Sequence, residues 1–189
     1  MNSICVRPVA LVALSLMAAL GAAALQADNN TRAEPPRFAA RLVPLQEVPA
    51  VSSEARGSFS AVIDEAAQTI NYELKYEALE GTVTQAHIHT AQFGVNGGIM
   101  VWLCGTAALP GPAGTPVCPI SPGTISGVLT PTQVVAVVAQ GIAPGEFAEV
   151  VRAIRNGVAY ANVHSTKFVG GEIRGQILRA WWFGKRDDD

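Results

Sequence analysis

Ile70-Asn71-Tyr72-Glu73-Leu74-Lys75-Tyr76-Glu77 is the stretch that decides the fold class. Apolar and polar side chains alternate along it without a break. A period of two belongs to a strand with one face buried and one face wet. The same alternation runs upstream, with Phe59, Ala61 and Ile63 set against Ser58, Ser60 and Asp64. Further upstream, Phe38, Ala40 and Leu42 alternate with Arg37, Ala39 and Arg41. Downstream, strands are predicted over 84–89, 98–104, 124–129, 158–164 and 172–178. With 18 Gly and 12 Pro to supply turns, about eight short strands indicate an all-β antiparallel sandwich or barrel.

One region departs from this period. Thr130 before Pro131 is a helix-start signal, and Thr132 to Gln140 is predicted as a short helix. Pro144 to Asn156 is predicted as a second, with Phe147, Val150, Val151 and Ile154 at helical spacing and Gly157 as the stop. Together they form a short helical insertion near 130–157, expected to cover an edge or end of the strands.

The chain has 189 residues, enough for one ordinary domain. Hydrophobic residues make up 49% and charged residues 15%, which excludes a solvated disordered chain. Thirteen basic against fifteen acidic residues leave no basic stripe for a phosphate backbone, so no nucleic-acid partner is expected. Residues 1–27 read as a secretory signal peptide. Arg7 precedes an uncharged apolar run from Val9 to Leu25, and Ala22 and Ala24 fit a cleavage site. The expected organisation is signal 1–27, polar linker 28–36, one domain over 37–180 and a tail over 181–189. The mature protein is expected in the periplasm or secreted, with no membrane segment after cleavage.

Export governs how the cysteines are read. Cys5 leaves with the signal, and Cys104 and Cys118 remain. In an oxidising compartment a disulfide between them is the default. The alternative is a pair of thiolate metal ligands, although the separation is longer than the short spacing usual in zinc sites.

Three histidines carry the functional reading: His87, His89 and His164. In His87-Ile88-His89 both imidazoles share one face of a strand, ~6.5–7 Å apart, while Ile88 points to the core. In Tyr160-Ala161-Asn162-Val163-His164 the apolar Ala161 and Val163 define the core face, so Tyr160, Asn162 and His164 point outward. If these strands are neighbours, three imidazoles converge on the solvent side and suit copper, zinc, iron or nickel. Met100 and Trp102 alternate with Ile99, Val101 and Leu103, which places Met100 as a possible site neighbour. Asn162 and Arg174 are further candidate neighbours. Glu172 and Arg174 share the outward face of the last strand and are expected to pair with each other or with loops, where an exposed pair contributes little. Gly94-Val95-Asn96-Gly97-Gly98 lacks the lysine and helix of a phosphate loop and is expected to turn at Asn96-Gly97. No serine lies in a nucleophile-elbow context.

Three blocks resemble the CHRD domain family, named from chordin. Leu45-Gln46-Glu47-Val48-Pro49 resembles its opening "L-x-G-x-x-E-V-P-P-V", with Ala50 in place of the second proline. Ala86-His87-Ile88-His89 through Gly94-Val95-Asn96-Gly97 resembles its "A-H-I-H-x-G-x-x-G-x-N-G" core. Gly157 to His164 and Gly170 to Ile177 resemble its "G-x-A-Y-V-N-V-H-T…G-E-I-R-G-Q-I" end. His-x-His before a glycine-rich turn is also similar to the copper strand of copper–zinc superoxide dismutases, which implies a Greek-key β-sandwich or barrel. By that likeness His87 and His89 match paired copper ligands, His164 matches a later-strand ligand by role, and Arg174 is comparable to a substrate-guiding arginine. With three histidines in all, a bridging histidine and a zinc site cannot be supplied. The expected function is an exported protein holding or handling copper at a three-histidine surface site. The alternatives are an extracellular protein-recognition module with an exported partner, and a redox enzyme related to the dismutases.

Overall fold

A computed structural model describes residues 36–180. The expected signal peptide, all of the expected linker but Pro36, and the tail lie outside the described residues. Among the described residues nine strands form two antiparallel sheets. They are β1 (Arg37–Leu42), β2 (Arg56–Asp64), β3 (Thr69–Glu77), β4 (Val83–Thr90), β5 (Gly98–Cys104), β6 (Gly123–Leu129), β7 (Ala159–Ser165), β8 (Ile173–Gln176) and β9 (Leu178–Arg179). One sheet has the order β6-β3-β2-β1-β9 and the other β5-β4-β7-β8. The fold is therefore an all-β sandwich, without a closed barrel among the described residues.

The period-two pattern builds the core as expected. Ile70, Tyr72, Leu74 and Tyr76 face inward with Phe59, Ala61 and Ile63 from β2 and Phe38, Ala40 and Leu42 from β1. The second sheet answers with Ala86, Ile88, Val101, Leu103, Ala161, Val163 and Ile173. Tyr72 spans this layer and donates its hydroxyl to Leu103 O at 2.9 Å. That bond lets a polar tip sit in an apolar core without an unmet donor.

The last predicted strand divides. β8 pairs with β7 in one sheet, and β9 pairs with β1 in the other. Ile177 lies between them, fully buried, and its N–H goes to Ala159 O. The chain changes sheets at that residue, which accounts for the ninth strand.

The helical insertion is only partly helical. The expected helix 132–140 is replaced by two 3-10 turns, Pro131–Gln133 and Val138–Gln140. Between them Val134 bridges Val101 on β5, and Val135 N donates to Met100 O at 2.9 Å. Clustered β-branched valines resist a helix, and an open strand edge offers their backbone better partners. Thr130 and Gln133 do close the start, through Thr130 N to Gln133 Oε1 at 2.8 Å. The second predicted helix exists as α1 (Phe147–Arg155), starting three residues later than expected. Its Phe147, Val150, Val151 and Ile154 are buried, as their spacing required.

Cys104 and Cys118 form a disulfide. Closing a loop of this size restricts the unfolded chain by roughly 3 kcal/mol. Among the described residues no helix is long and apolar enough to cross a membrane.

Candidate metal centre

The four-stranded sheet places the histidines on its two central strands, β4 and β7. β4 pairs with β7, setting His87 opposite Asn162, His89 opposite Tyr160, and Gln85 opposite His164. One ring nitrogen from each of His87, His89 and His164 lies within 4.8 Å of the others. Their face is opposite the core, as strand parity requires. They are not at the surface, however. His87 is fully buried, and His89 and His164 are 7% and 6% exposed. The expectation of a solvent-side surface site is corrected to an enclosed one.

Three connections make the enclosure: residues 43–55, 91–97 and 166–172. Asn96 Nδ2 donates to Val48 O at 2.9 Å, tying the first to the second. Ser53 Oγ donates to Glu172 Oε1 at 2.9 Å, tying the first to the third. Arg174 is only 1% exposed and acts as the central pin. Its guanidinium donates to Val95 O at 2.7 Å and Asn96 Oδ1 at 3.1 Å, and lies 3.5 Å from the centre of the Tyr160 ring. Tyr160 in turn stacks on His89, with ring centroids 4.7 Å apart. Glu172 and Arg174 thus engage the loops rather than each other, as one of the two expectations had it, and both are buried, which corrects the expected exposure.

The turn in 91–97 is also displaced from its expected place. Val95 N returns to Gln92 O, and Gly94 takes the positive φ of 76°. Asn96 is instead a cross-loop tie. Gly97 is needed for close approach, because a Cβ there would lie 1.8 Å from Thr90 O.

Backbone carbonyls set the histidine tautomers. His89 Nδ1 donates to Gly97 O at 2.9 Å, and His164 Nδ1 donates to Val169 O at 3.0 Å. A carbonyl can only accept, so both rings keep a bare lone pair on Nε2. His87 Nδ1 lies 3.3 Å from His164 Nε2. Two nitrogens bound to one ion at ~2.0–2.1 Å sit about 3.3–3.6 Å apart at tetrahedral to trigonal angles. In the metal-free protein His87 must donate from Nδ1 to His164, which leaves its own Nε2 a buried acceptor. His87 Nε2 and His89 Nε2 are buried without a hydrogen-bond partner. Such orphaned nitrogens cost stability unless another group meets them. Backbone partners that orient each ring are also the usual outer support of a metal-binding histidine. The three-imidazole donor set and the orphaned His89 Nε2 fit an ion.

Of the expected neighbours, Asn162 and Arg174 border the cluster and Met100 does not. β5 carries irregularities opposite Ala86/His87 and Ile88/His89, and the second leaves Met100 without a β4 partner. Met100 is fully buried in the hydrophobic core, so the expected outward alternation is corrected there. Trp102 stays on the histidine side, its ring 4.3 Å from that of His87. Glu47 was overlooked as a site neighbour, although it stands in the quoted Leu45-to-Pro49 block. It is 7% exposed and accepts from Asn162 Nδ2 at 2.7 Å. A single acidic residue in a segment bounded by Pro44 and Pro49 was the available signal.

Burial dominates the electrostatics. It pushes His87 from 6.5 down to about 2, helped by the neighbouring His164 and His89. It pushes His89 down to about 4 against the opposing bond to Gly97 O, and lowers His164 as well. Desolvation raises Glu47 to about 7, with Asn162 and Arg174 pulling the other way. A histidine held below its unfolded value adds stability above that value, and this is lost as pH falls toward the folded one. Glu47 works in the opposite sense, but three histidines outweigh one carboxyl. The metal-free protein is therefore expected to lose thermal stability steadily between pH 7 and pH 5. Melting temperatures of chelator-treated protein check this, and a flat or rising profile toward pH 5 contradicts it.

The CHRD domain family model matches residues 38–177. Searches of curated proteins and of solved structures found no match. The match spans most of the chain, from β1 to the sheet crossover at Ile177, and includes the sandwich, all three histidines and the loops that enclose them. This chain belongs to the CHRD domain family.

Proposed function

We propose that this is an exported protein that holds one copper ion through His87 Nδ1, His89 Nε2 and His164 Nε2. The observation that carries the reading is the convergence of three ring nitrogens within 4.8 Å, two of them on rings oriented by backbone carbonyls. Three neutral imidazoles without a carboxylate or thiolate suit a borderline or soft ion rather than Mg²⁺ or Ca²⁺. Copper heads the divalent affinity order. When bound, the ion would supply a positive centre for the lone pairs of His89 Nε2, His164 Nε2 and His87 Nδ1. The chain's part is to orient the three rings and enclose them; His87, which donates from Nδ1 in the metal-free protein, carries its proton on Nε2 when Nδ1 takes the ion. The paired Cys104 and Cys118 and the leader-like residues 1–27 support handling outside the cytoplasm.

Trp102 gives a built-in reporter because its ring touches His87. Titrating metal-free protein with Cu²⁺ is expected to quench its emission and saturate at one equivalent. Trp102→Phe is expected to remove most of that change. Electron paramagnetic resonance is expected to show nitrogen coupling from imidazoles. Quenching that never saturates, or a copper spectrum without nitrogen coupling, would overturn the reading in favour of a recognition module.

A further inference from the structure

We propose that Glu47, held by Asn162 in the lining of a small cavity, receives the metal cation from solvent and passes it to the three histidines. The inference rests on the copper reading and adds a route to it. The cavity has a volume of about 150 Å³ and is lined by Glu47 with Val48, Pro49, Val51, Phe168, Gly170 and Gly171. Glu47 is the one charged side chain in that lining. Among the described residues its carboxylate joins no ion pair. Oε1 accepts from Asn162 Nδ2, which also donates to Ile173 O at 2.9 Å. Oε2 accepts no side-chain hydrogen bond among the described residues.

The missing side chain at Gly171 leaves the room the carboxylate occupies. Gly171 has φ 130°, and a Cβ there would lie 2.7 Å from both Glu47 oxygens and from Asn162 Nδ2. Any other residue at this position would push into the carboxylate.

Two residues link the cavity lining to the histidines: Asn162, hydrogen-bonded to Glu47, and Val169. Asn162 stands opposite His87 across the β4–β7 ladder. It also lies two residues before His164 on the same face, ~6.5–7 Å along the strand. Val169, whose carbonyl orients His164, lies between the cavity residues Phe168 and Gly170. Arg174 neighbours Asn162 across the β7–β8 ladder, but its guanidinium is turned to Val95 O and Asn96 Oδ1.

Apolar walls around one carboxylate focus its field and raise the local cation concentration. An oxygen ligand holds copper less firmly than imidazole nitrogen does, so transfer inward runs downhill. No electron changes hands, and the proton on His87 Nδ1 moves to that ring's Nε2 as Nδ1 takes the ion. The ion exchanges water and a carboxylate oxygen for nitrogen.

Stopped-flow uptake of Cu²⁺ by the full-length metal-free protein at pH 8, read by Trp102 emission, tests this. Glu47→Gln is expected to lower the second-order rate constant about tenfold and to remove most of its dependence on ionic strength. Glu77→Gln, on the outer face of the other sheet and paired with Arg56, is expected to leave both unchanged. Glu47→Asp keeps the charge and is expected to retain the salt dependence, which decides the matter if the glutamine variant folds poorly. Parent-like uptake and salt slope in folded Glu47→Gln would overturn the relay alone. A parent protein that takes up no copper would overturn the copper reading and the relay together.

Discussion

His87→Phe is expected to abolish tight copper binding while the protein stays folded. His87 is fully buried between Trp102, His89 and His164. Phenylalanine fills that space without a nitrogen, so packing survives and one ligand is lost. The affinity loss should exceed the roughly 10–100-fold that removing an outer partner of a metal ligand costs. His87→Ala should lose binding equally, and also about 1–3 kcal/mol of metal-free stability through the cavity and the donor taken from His164. Calorimetric copper titration with thermal melts of both variants separates the two effects. If His87→Phe binds copper as tightly as the parent, the three-histidine site is wrong.

Arg174→Met is expected to destabilise the protein by about 3 kcal/mol, because a buried fork of donors is removed while its acceptors remain. Val95 O and Asn96 Oδ1 lose their charged partner, and the face of Tyr160 loses its cation. At this chain length the melting temperature should fall by about 6–12 °C. Methionine retains the apolar stem, so the loss reports the guanidinium rather than packing. Arg174→Lys restores charge but not the planar fork and should recover less than half. A loss of Arg174→Met within about 0.5 kcal/mol of the parent would show that loops 43–55 and 91–97 hold together without the pin.

Much of the sandwich was legible because alternation is a local property. Tyr72 and Leu74 face the core, and the predicted span 98–104 coincides with β5. The face occupied by the histidines was legible for the same reason, since parity follows from Ile88 on one strand and Ala161 and Val163 on the other. Helical spacing likewise found α1. It failed over 132–140, where the free edge of β5 competed for the backbone. No local pattern contains that edge.

The sequence by itself determined the strands, the side on which each imidazole projects, and the family blocks around them. The tertiary structure decided that β4 lies beside β7 and that segments 43–55, 91–97 and 166–172 close over their outer face. It also decided that Met100 drops out of the alternation and that Arg174 is a buried pin. The reason is that side-chain periodicity records which face of a strand is occupied, not what is laid over it. The cover comes from residues distant in the chain, joined through Asn96, Ser53 and Arg174, and it turns three outward histidines into a dry and pre-oriented cluster.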